Sequence, residues 1–209
     1  MSARFGEPVT ASSASPDDAV AVRNLVDDGR PPFWEAVVAD ARITARYRGE
    51  HHEFRSDLDA AVQVVRLAWV TDSFFAQVCY RAKAACRARR IPVLPAVLQR
   101  LAVTHGQVAI GDHVVLRPGI YLPHGQVVID GVTFVGSGVV IRPFVTLGLV
   151  DGDMFGPHIG ARTKIGTGAK VIGHIRIGHD VQIGANAVVN RDVPPRSTAV
   201  GVPARARPQ

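Results

Sequence analysis

The sequence predicts an all-α N-terminal domain followed by a parallel β-helix of hexapeptide repeats. Aliphatic residues recur at a period of six, which fits neither the 3.6-residue period of an α-helix nor the two-residue period of a β-strand. Glycine directly follows four of the six aliphatic residues in the most regular stretch and permits turns between short strands. This stretch has Ile159, Ile165, Val171, Ile177, Ile183 and Val189. Residues 17–102 instead carry apolar residues at helical spacing.

Four segments follow one another along the chain. Residues 1–16 are predicted to be disordered, 17–102 to form the helical domain, 103–203 the β-helix and 204–209 a C-terminal tail. No apolar run reaches the roughly 18 residues of a membrane span, and the N-terminus has no secretory signal. We therefore expect a cytoplasmic protein that has no membrane partner.

Capping residues mark the helices of the N-terminal domain. A Pro-Pro pair precedes one helix, and Ser56 is a predicted N-cap of the next. Asp72 or Ser73 is predicted to cap a third, and a short helix is expected over residues 95–102.

The six-residue register of the β-helix is interrupted twice. It slips by one residue near Gly131, and it breaks at residues 149–158, which are predicted to form a loop. In a β-helix the aliphatic residue of each repeat points inward, and each coil pairs its backbone with the coils above and below. The earlier register positions are Ile110, Leu116, Leu122, Val128, Val135, Ile141 and Leu147.

The chain is basic, with a formal net charge of +6 and a pI of about 10.0. Its densest basic cluster contains Arg81, Lys83, Arg87, Arg89 and Arg90. No aromatic residues alternate with basic ones as in nucleic-acid-binding surfaces, so no nucleic-acid partner is expected. A basic surface also suits a phosphorylated cofactor, or solubility alone.

Several motifs resemble the serine O-acetyltransferase family, within the hexapeptide-repeat acyltransferases. They are FWEAVVADARITARYRG, SFFAQVCYRAKAACRARRIPVLP, GIYLPHG, FVTLG, KIGTGAKVIG, IGANAVVNRDVPP and GVPAR, and the resemblance covers about residues 33–207. It implies a left-handed β-helix, active sites between the chains of a homotrimer or dimer of trimers, and acetyl-CoA as co-substrate with no metal. It also implies transfer of the acetyl group to the hydroxyl of L-serine.

His124, in GIYLPHG, matches the family's catalytic histidine. A neutral imidazole near pH 7 is suited to remove a hydroxyl proton as a general base. The family has an aspartate fifteen residues earlier that orients this ring, and the position here is Ala109. Asp112, Asp130 or a backbone carbonyl could orient the His124 ring instead.

The residues implied for acceptor binding differ from the family pattern. Pro123 stands where the family has an aspartate. The family's Arg-His pair, which binds the serine carboxylate, aligns with about residues 155–156. His158 could reach the site, but no arginine lies in residues 149–158, although a carboxylate favours a guanidinium. A sugar or another small hydroxyl compound is therefore kept as an alternative acceptor.

The coenzyme groove is implied by position in the family. It would contain Gly148, Gly166, Thr167 and Ala185, and also Gln182 at the place of a family lysine. Arg205, in GVPAR, is expected near the 3′-phosphate of the coenzyme.

Two alternative functions have some support in the sequence. His174 and His179 resemble part of the zinc site of β-helical carbonic anhydrases, and a catalytically inactive scaffold is a further alternative. The family's complex with cysteine synthase uses a C-terminal isoleucine, so no such complex is expected of a chain that ends in Arg-Pro-Gln. Three apolar residues are predicted to face outward and support the trimer: Val115, Ile120 and Val140.

Overall fold

A computed structural model describes residues 16–52 and 54–209, without the side chains of residues 16–19. The segment predicted to be disordered, 1–16, lies outside this range except for Pro16, which begins the first helix. Within the described residues, no helix combines the length and the apolar character that crossing a membrane requires. Five helices occupy its N-terminal half: α1 (Pro16–Gly29), α2 (Phe33–Tyr47), α3 (Asp57–Val70), α4 (Asp72–Ala88) and α5 (Leu94–Gly106).

The predicted helix boundaries agree only in part with the structure. Ser56 caps α3, since its hydroxyl accepts a hydrogen bond from the Asp59 amide at 3.2 Å. The predicted cap of α4 was wrong: Thr71 is the N-cap residue, and the Ser73 hydroxyl donates to a carbonyl of the β-helix instead. α5 continues to Gly106, four residues beyond the predicted end of the helical domain, and stops where Gln107 adopts a left-handed conformation.

Short strands make up the C-terminal half of the described chain. They are β1 (Val108–Ile110), β2 (Val115–Leu116), β3 (Val127–Ile129), β4 (Val132–Val135), β5 (Val140–Ile141), β6 (Thr146–Gly148), β7 (Phe155–Ile159), β8 (Lys164–Ile165), β9 (Lys170–Ile172), β10 (Arg176–Ile177), β11 (Gln182–Ile183), β12 (Val188–Val189), β13 (Ser197–Gly201) and β14 (Ala204–Pro208).

Three sheets form the walls of a prism. Their orders are β1-β3-β6-β9-β12, β2-β4-β7-β10 and β5-β8-β11-β13-β14, and all pairs are parallel except β13 with β14. The chain visits the three walls in turn, as the coils of a β-helix do. The inward orientation is confirmed for the six residues from Ile159 to Val189, which are at most 3% exposed. It was wrong for Val128, which is 45% exposed, because its neighbours Val127 and Ile129 are the residues of β3 that point inward.

The predicted outward orientation of three apolar residues was wrong. Val115, Ile120 and Val140 are each at most 3% exposed within the single chain. Val115 packs beneath α1, in a cluster with Val22 and Val26, so a helix of the same chain already covers this wall. These residues therefore provide no surface for another chain.

Two segment boundaries differ from the predicted ones. The predicted loop 149–158 is shorter, since β7 begins at Phe155 and pairs with β4 through a local register shift. The predicted tail 204–209 instead forms β14, which turns back after Gly201 (φ +100°) and pairs antiparallel with β13. Extending a sheet edge supplies backbone partners that a tail would lack.

Polar side chains of α4 pair with the first coil, which has no preceding coil to bond with. The Ser73 hydroxyl donates to the Leu122 carbonyl at 2.8 Å. Gln77 Nε2 donates to the Ile120 carbonyl at 2.9 Å, and Lys83 Nζ donates to the Ile110 carbonyl at 2.6 Å. Buried carbonyls of the terminal coil thus gain partners from a helix, as buried polar groups require.

A buried ion pair completes this junction. Arg81 of α4 donates from Nε to Asp40 Oδ2 of α2 at 2.9 Å, and both side chains are at most 4% exposed. Asp40 Oδ1 also accepts the amides of Gly119 and Ile120, each at 2.8 Å. Because Arg81 and Lys83 face the β-helix, the basic cluster seen in the sequence is not one continuous surface.

Candidate active site

His124 lies exposed at the corner of the prism that joins Tyr121 to β3. The neighbouring Gly125 packs so closely on the end of α5 that a Cβ there would lie 1.9 Å from the Gly106 carbonyl oxygen. Real Cβ atoms do not approach oxygen so closely, so this glycine is needed for contact between the corner and the helix. The corner that carries His124 is therefore held against the helical domain.

A cavity of about 390 Å³ opens beside this histidine. His124 and Pro123 form one side, and residues of the helical domain form the other, including Arg48, Ser73 and His105. The cavity leaves space for a small molecule beside His124.

Arg48 is a cavity residue that the sequence analysis missed. It follows the last residue of α2, Tyr47, whose ring stacks on Tyr121 with centroids 4.4 Å apart and an interplanar angle of 8°. Arg48 donates to Glu50 at 2.7 Å and to the Thr71 hydroxyl at 3.4 Å. Hydrogen bonds from Arg66 and then Arg48 lower the pKa of Glu50 to about 2. The only signal in the sequence was a basic residue at a helix end.

The two candidate orienting carboxylates have other partners. Asp112 forms ion pairs with Lys83, at 3.1 Å, and with Arg87. Asp130 Oδ1 accepts the Gly131 amide at 2.8 Å. Across residues 16–52 and 54–209, neither carboxylate hydrogen-bonds His124.

Three of the predicted coenzyme residues lie on the same edge of the prism as His124. Gly166 and Thr167 form the corner between β8 and β9, and Ala185 lies at the corner between β11 and β12. The two corners are in contact, since the Asn186 amide donates to the Thr167 carbonyl at 2.9 Å. The structure thus brings together the candidate base and part of the candidate groove, which the repeats separate in sequence.

The other predicted coenzyme residues occupy different positions. Gln182 is exposed on β11, between Lys164 and Thr198 of the neighbouring strands. Arg205 is exposed on β14, at the edge of the same sheet. Gly148 ends β6 at another corner of the prism, away from the edge that carries His124.

His158 lies on a different wall, in β7, and does not line the His124 cavity. It belongs to an aromatic groove of about 370 Å³ that also contains Leu25, Phe134, Phe155 and Arg176. Burial, and then the charge of Arg176, lower the pKa of His158, which favours the neutral form of its imidazole. One chain alone does not bring His158 and His124 together.

The two histidines of the zinc alternative lie at opposite ends of β10. The His174 ring stacks on Phe155 with centroids 5.1 Å apart, and His179 Nδ1 is 2.8 Å from Asp180 Oδ2. Among the residues that the structure describes, no group of three or more histidine, cysteine or acidic side chains could hold a metal ion. The geometry therefore gives no support to a zinc lyase.

Comparison with known proteins supports the prediction of an acyltransferase. The family described as bacterial transferase hexapeptide (six repeats) matches residues 156–191. The serine acetyltransferase of Synechococcus elongatus is 40% identical over 136 residues, which are 63% of this chain and 55% of that protein. The serine acetyltransferase of Helicobacter pylori (strain J99) is 41% identical over 134 residues, which are 62% of this chain and 78% of that protein. The match thus spans little more than half of the cyanobacterial relative.

Solved structures of similar proteins match most of this chain. Neisseria gonorrhoeae serine acetyltransferase in complex with serine matches with a TM-score of 0.69 and 27% identity, over 92% of this chain and 78% of that one. Soybean serine acetyltransferase complexed with serine matches with a TM-score of 0.70 and 28% identity, over 96% and 79%. Since this chain also covers more than two thirds of a relative with 41% identity, it belongs to the serine acetyltransferase family.

Proposed function

We propose that the protein transfers the acetyl group of acetyl-CoA to the hydroxyl of L-serine, with a left-handed β-helix as its scaffold. Family membership supports this activity, and so does the serine bound in two similar structures. The observation that carries the proposal is the shared prism edge, which has His124 at one coil, Gly166 and Thr167 two coils further on and Ala185 at the next coil. A coenzyme bound along that edge would point its thioester toward the imidazole of His124.

His124 acts as the general base of this reaction. Its imidazole removes the proton from the acceptor hydroxyl, and the oxygen attacks the thioester carbon. Amide donors at the corners of the prism stabilise the oxyanion that forms there. Collapse breaks the carbon–sulfur bond, and the imidazolium returns its proton to the departing thiolate. Asp112 is engaged by Lys83 and Arg87, and Asp130 lies at the far end of β3 from His124, so a backbone carbonyl remains to orient the ring.

Arg48 is the residue that we assign to the carboxylate of serine. It lines the same cavity as His124 and Pro123, and the stacked Tyr47 and Tyr121 rings hold the end of α2 beside that corner. A guanidinium can bind a carboxylate through two parallel hydrogen bonds. Arg48 would thus replace the arginine that residues 149–158 lack.

The active unit in this proposal is a homotrimer or a dimer of trimers. His158 lies on another wall of the prism, so it can contribute to acceptor binding only beside the His124 corner of a second chain. Light scattering then gives a mass of about 67 kDa, or about 134 kDa, three or six times the 22.3 kDa chain. An active species with the mass of one chain would refute the shared site.

Release of free thiol from acetyl-CoA, measured with and without L-serine, tests the activity. His124→Ala should lower kcat about 10²- to 10⁴-fold. His51→Ala is the matched control, since His51 is exposed outside the cavity, and it should retain the rate. Arg48→Gln should raise KM for serine about tenfold or more and leave KM for acetyl-CoA unchanged. Full activity in His124→Ala would exclude this histidine as the base.

A sugar or another hydroxyl compound is the second candidate acceptor. The groove around His158 favours it, because Leu25, Phe134 and Phe155 supply mostly apolar and aromatic surface beside the single guanidinium of Arg176. Sugars and homoserine, assayed beside L-serine, distinguish the two. A kcat/KM for a sugar that exceeds the value for serine would replace serine as the acceptor. Absence of turnover with every acceptor would instead indicate a non-catalytic scaffold.

A further inference from the structure

A second cleft, of about 610 Å³, lies between the helical domain and the β-helix and shares no residue with the His124 cavity. Helix α1 forms one wall, and the end of α4 with the turn before α5 forms another. The corner at Asp112 and His113, after β1, forms the third. Its volume is in the range of about 300–1,000 Å³ that small-molecule sites occupy.

The cleft is lined by more positive than negative charge. Four arginines line it, namely Arg23, Arg30, Arg87 and Arg90. Its two acidic residues are already neutralised, since Asp27 pairs with Arg30 at 2.7 Å and Asp112 pairs with Arg87 and with Lys83. In the described part of the chain, Arg23 and Arg90 have no acidic partner.

Arg30 leaves a buried donor unused at this cleft. Its Nη1 donates to Asp27 Oδ1 and its Nη2 donates to the Asp112 carbonyl at 2.6 Å. Its Nε is buried and has no hydrogen-bond partner among the residues that the structure describes. Because this Nε has almost no exposed surface, it is not itself a contact for a ligand; the Nη2 bond instead holds the end of α1 against the corner after β1 and so fixes one wall of the cleft.

The turn between α4 and α5 adds a second sign of a ligand site. Arg90 and Val93 both line the cleft with positive φ, at 55° and 66°. A branched residue such as valine rarely adopts this conformation. Strained backbone of this kind tends to gather at ligand-binding and switch regions.

We propose that this cleft binds a small molecule through a phosphate or diphosphate group. Guanidinium groups are the preferred partners of phosphate, and Arg23, Arg87 and Arg90 approach the cleft from α1, from the end of α4 and from the turn before α5. Such a ligand would contact both halves of the protein. The site is separate from the coenzyme edge, which lies along the corners of Thr167 and Ala185.

Titration calorimetry of the full chain with inorganic pyrophosphate, at constant ionic strength, tests the proposal. We expect one site per chain, and at least tenfold weaker binding in Arg23→Gln/Arg90→Gln. The matched control is Arg46→Gln/Arg100→Gln, which removes two exposed arginines outside the cleft and should change the Kd less than twofold. Arg205→Gln, which changes the residue expected near the 3′-phosphate of the coenzyme, should also leave the Kd unchanged.

Three outcomes would overturn the proposal. One is the absence of saturable binding below about 1 mM, the weak end of the affinity scale for specific ligands. Another is an equal loss of affinity in both double variants, which would mean that only net charge attracts the anion. The third is an equal loss of affinity in Arg205→Gln, which would place the anion in the coenzyme groove.

Discussion

Replacing Arg81 with methionine tests the junction between α4 and the first coil. Methionine has a similar length but cannot donate a hydrogen bond. The variant leaves Asp40, which is 1% exposed, without its counter-ion. It also removes the donors to the carbonyls of Leu116 and Arg117, the latter bonded at 3.0 Å.

The expected loss of stability is about 4 kcal/mol. Removing one partner of a buried ion pair typically costs about 3–5 kcal/mol, because a buried charge is left uncompensated. This is a large part of the total stability of a domain, about 5–15 kcal/mol. Asp40→Asn/Arg81→Met should regain about 2 kcal/mol, because a neutral amide oxygen can still accept the Gly119 and Ile120 amides.

The loss should also depend on pH. Burial raises the pKa of Asp40, and Arg81 is the main charge that opposes this shift. Without Arg81 the folded pKa of Asp40 rises further above its unfolded value. Stability is then retained at low pH, where Asp40 is neutral, and is lost as the pH rises through the folded pKa. The deficit of Arg81→Met against the wild type should therefore be larger at pH 7 than at pH 4.5.

Urea unfolding followed by circular dichroism measures these differences. Arg46→Met, an exposed replacement on α2, is the control and should stay within about 0.5 kcal/mol of the wild type. A loss below about 1 kcal/mol for Arg81→Met would refute the argument that this side chain completes the first coil. An equal deficit at both pH values would refute the role of the Asp40 charge.

Three further predictions follow from local contacts. The pKa of Glu50 is lowered to about 2, so its ionised carboxylate stabilises the fold at pH values above its unfolded pKa of 4.5. Unfolding titrations should show this stabilisation disappearing as the pH falls from about 4.5 to about 2, and Glu50→Gln should lack that pH dependence. Gly125→Ala should lower the free energy of unfolding in urea by about 1–3 kcal/mol and should also lower thiol release, because its Cβ would lie 1.9 Å from the Gly106 carbonyl oxygen. Gly148→Ala is the control and should keep wild-type stability, since the nearest contact of its Cβ would be 3.4 Å. Ser56→Ala should cost about 1 kcal/mol by thermal unfolding, since it removes the cap of α3, and Ser56→Asp should restore most of that loss.

The repeat could be identified from the sequence because each of its signals is local. A period of six predicts which residues are buried. It correctly predicts the burial of Ile159, Ile165 and the residues that continue the series to Val189. The same regularity placed Gly166 and Ala185 at corners. Ser56 was recognised as a cap because a cap bonds only to residues of its own first turn.

The tertiary structure alone decided what the polar residues of the helical half do. Arg81 and Lys83 belong to a basic cluster in the sequence that would normally be solvated, yet they bond to carbonyls of the first coil 35 and 27 residues away, respectively. Arg48 reaches the His124 cavity only because Tyr47 stacks on Tyr121. Such contacts depend on how a helix packs across a coil remote in sequence, and that packing leaves no periodic trace in either segment. A local pattern reports whether a residue is buried, whereas its partner is fixed only when the whole chain has folded.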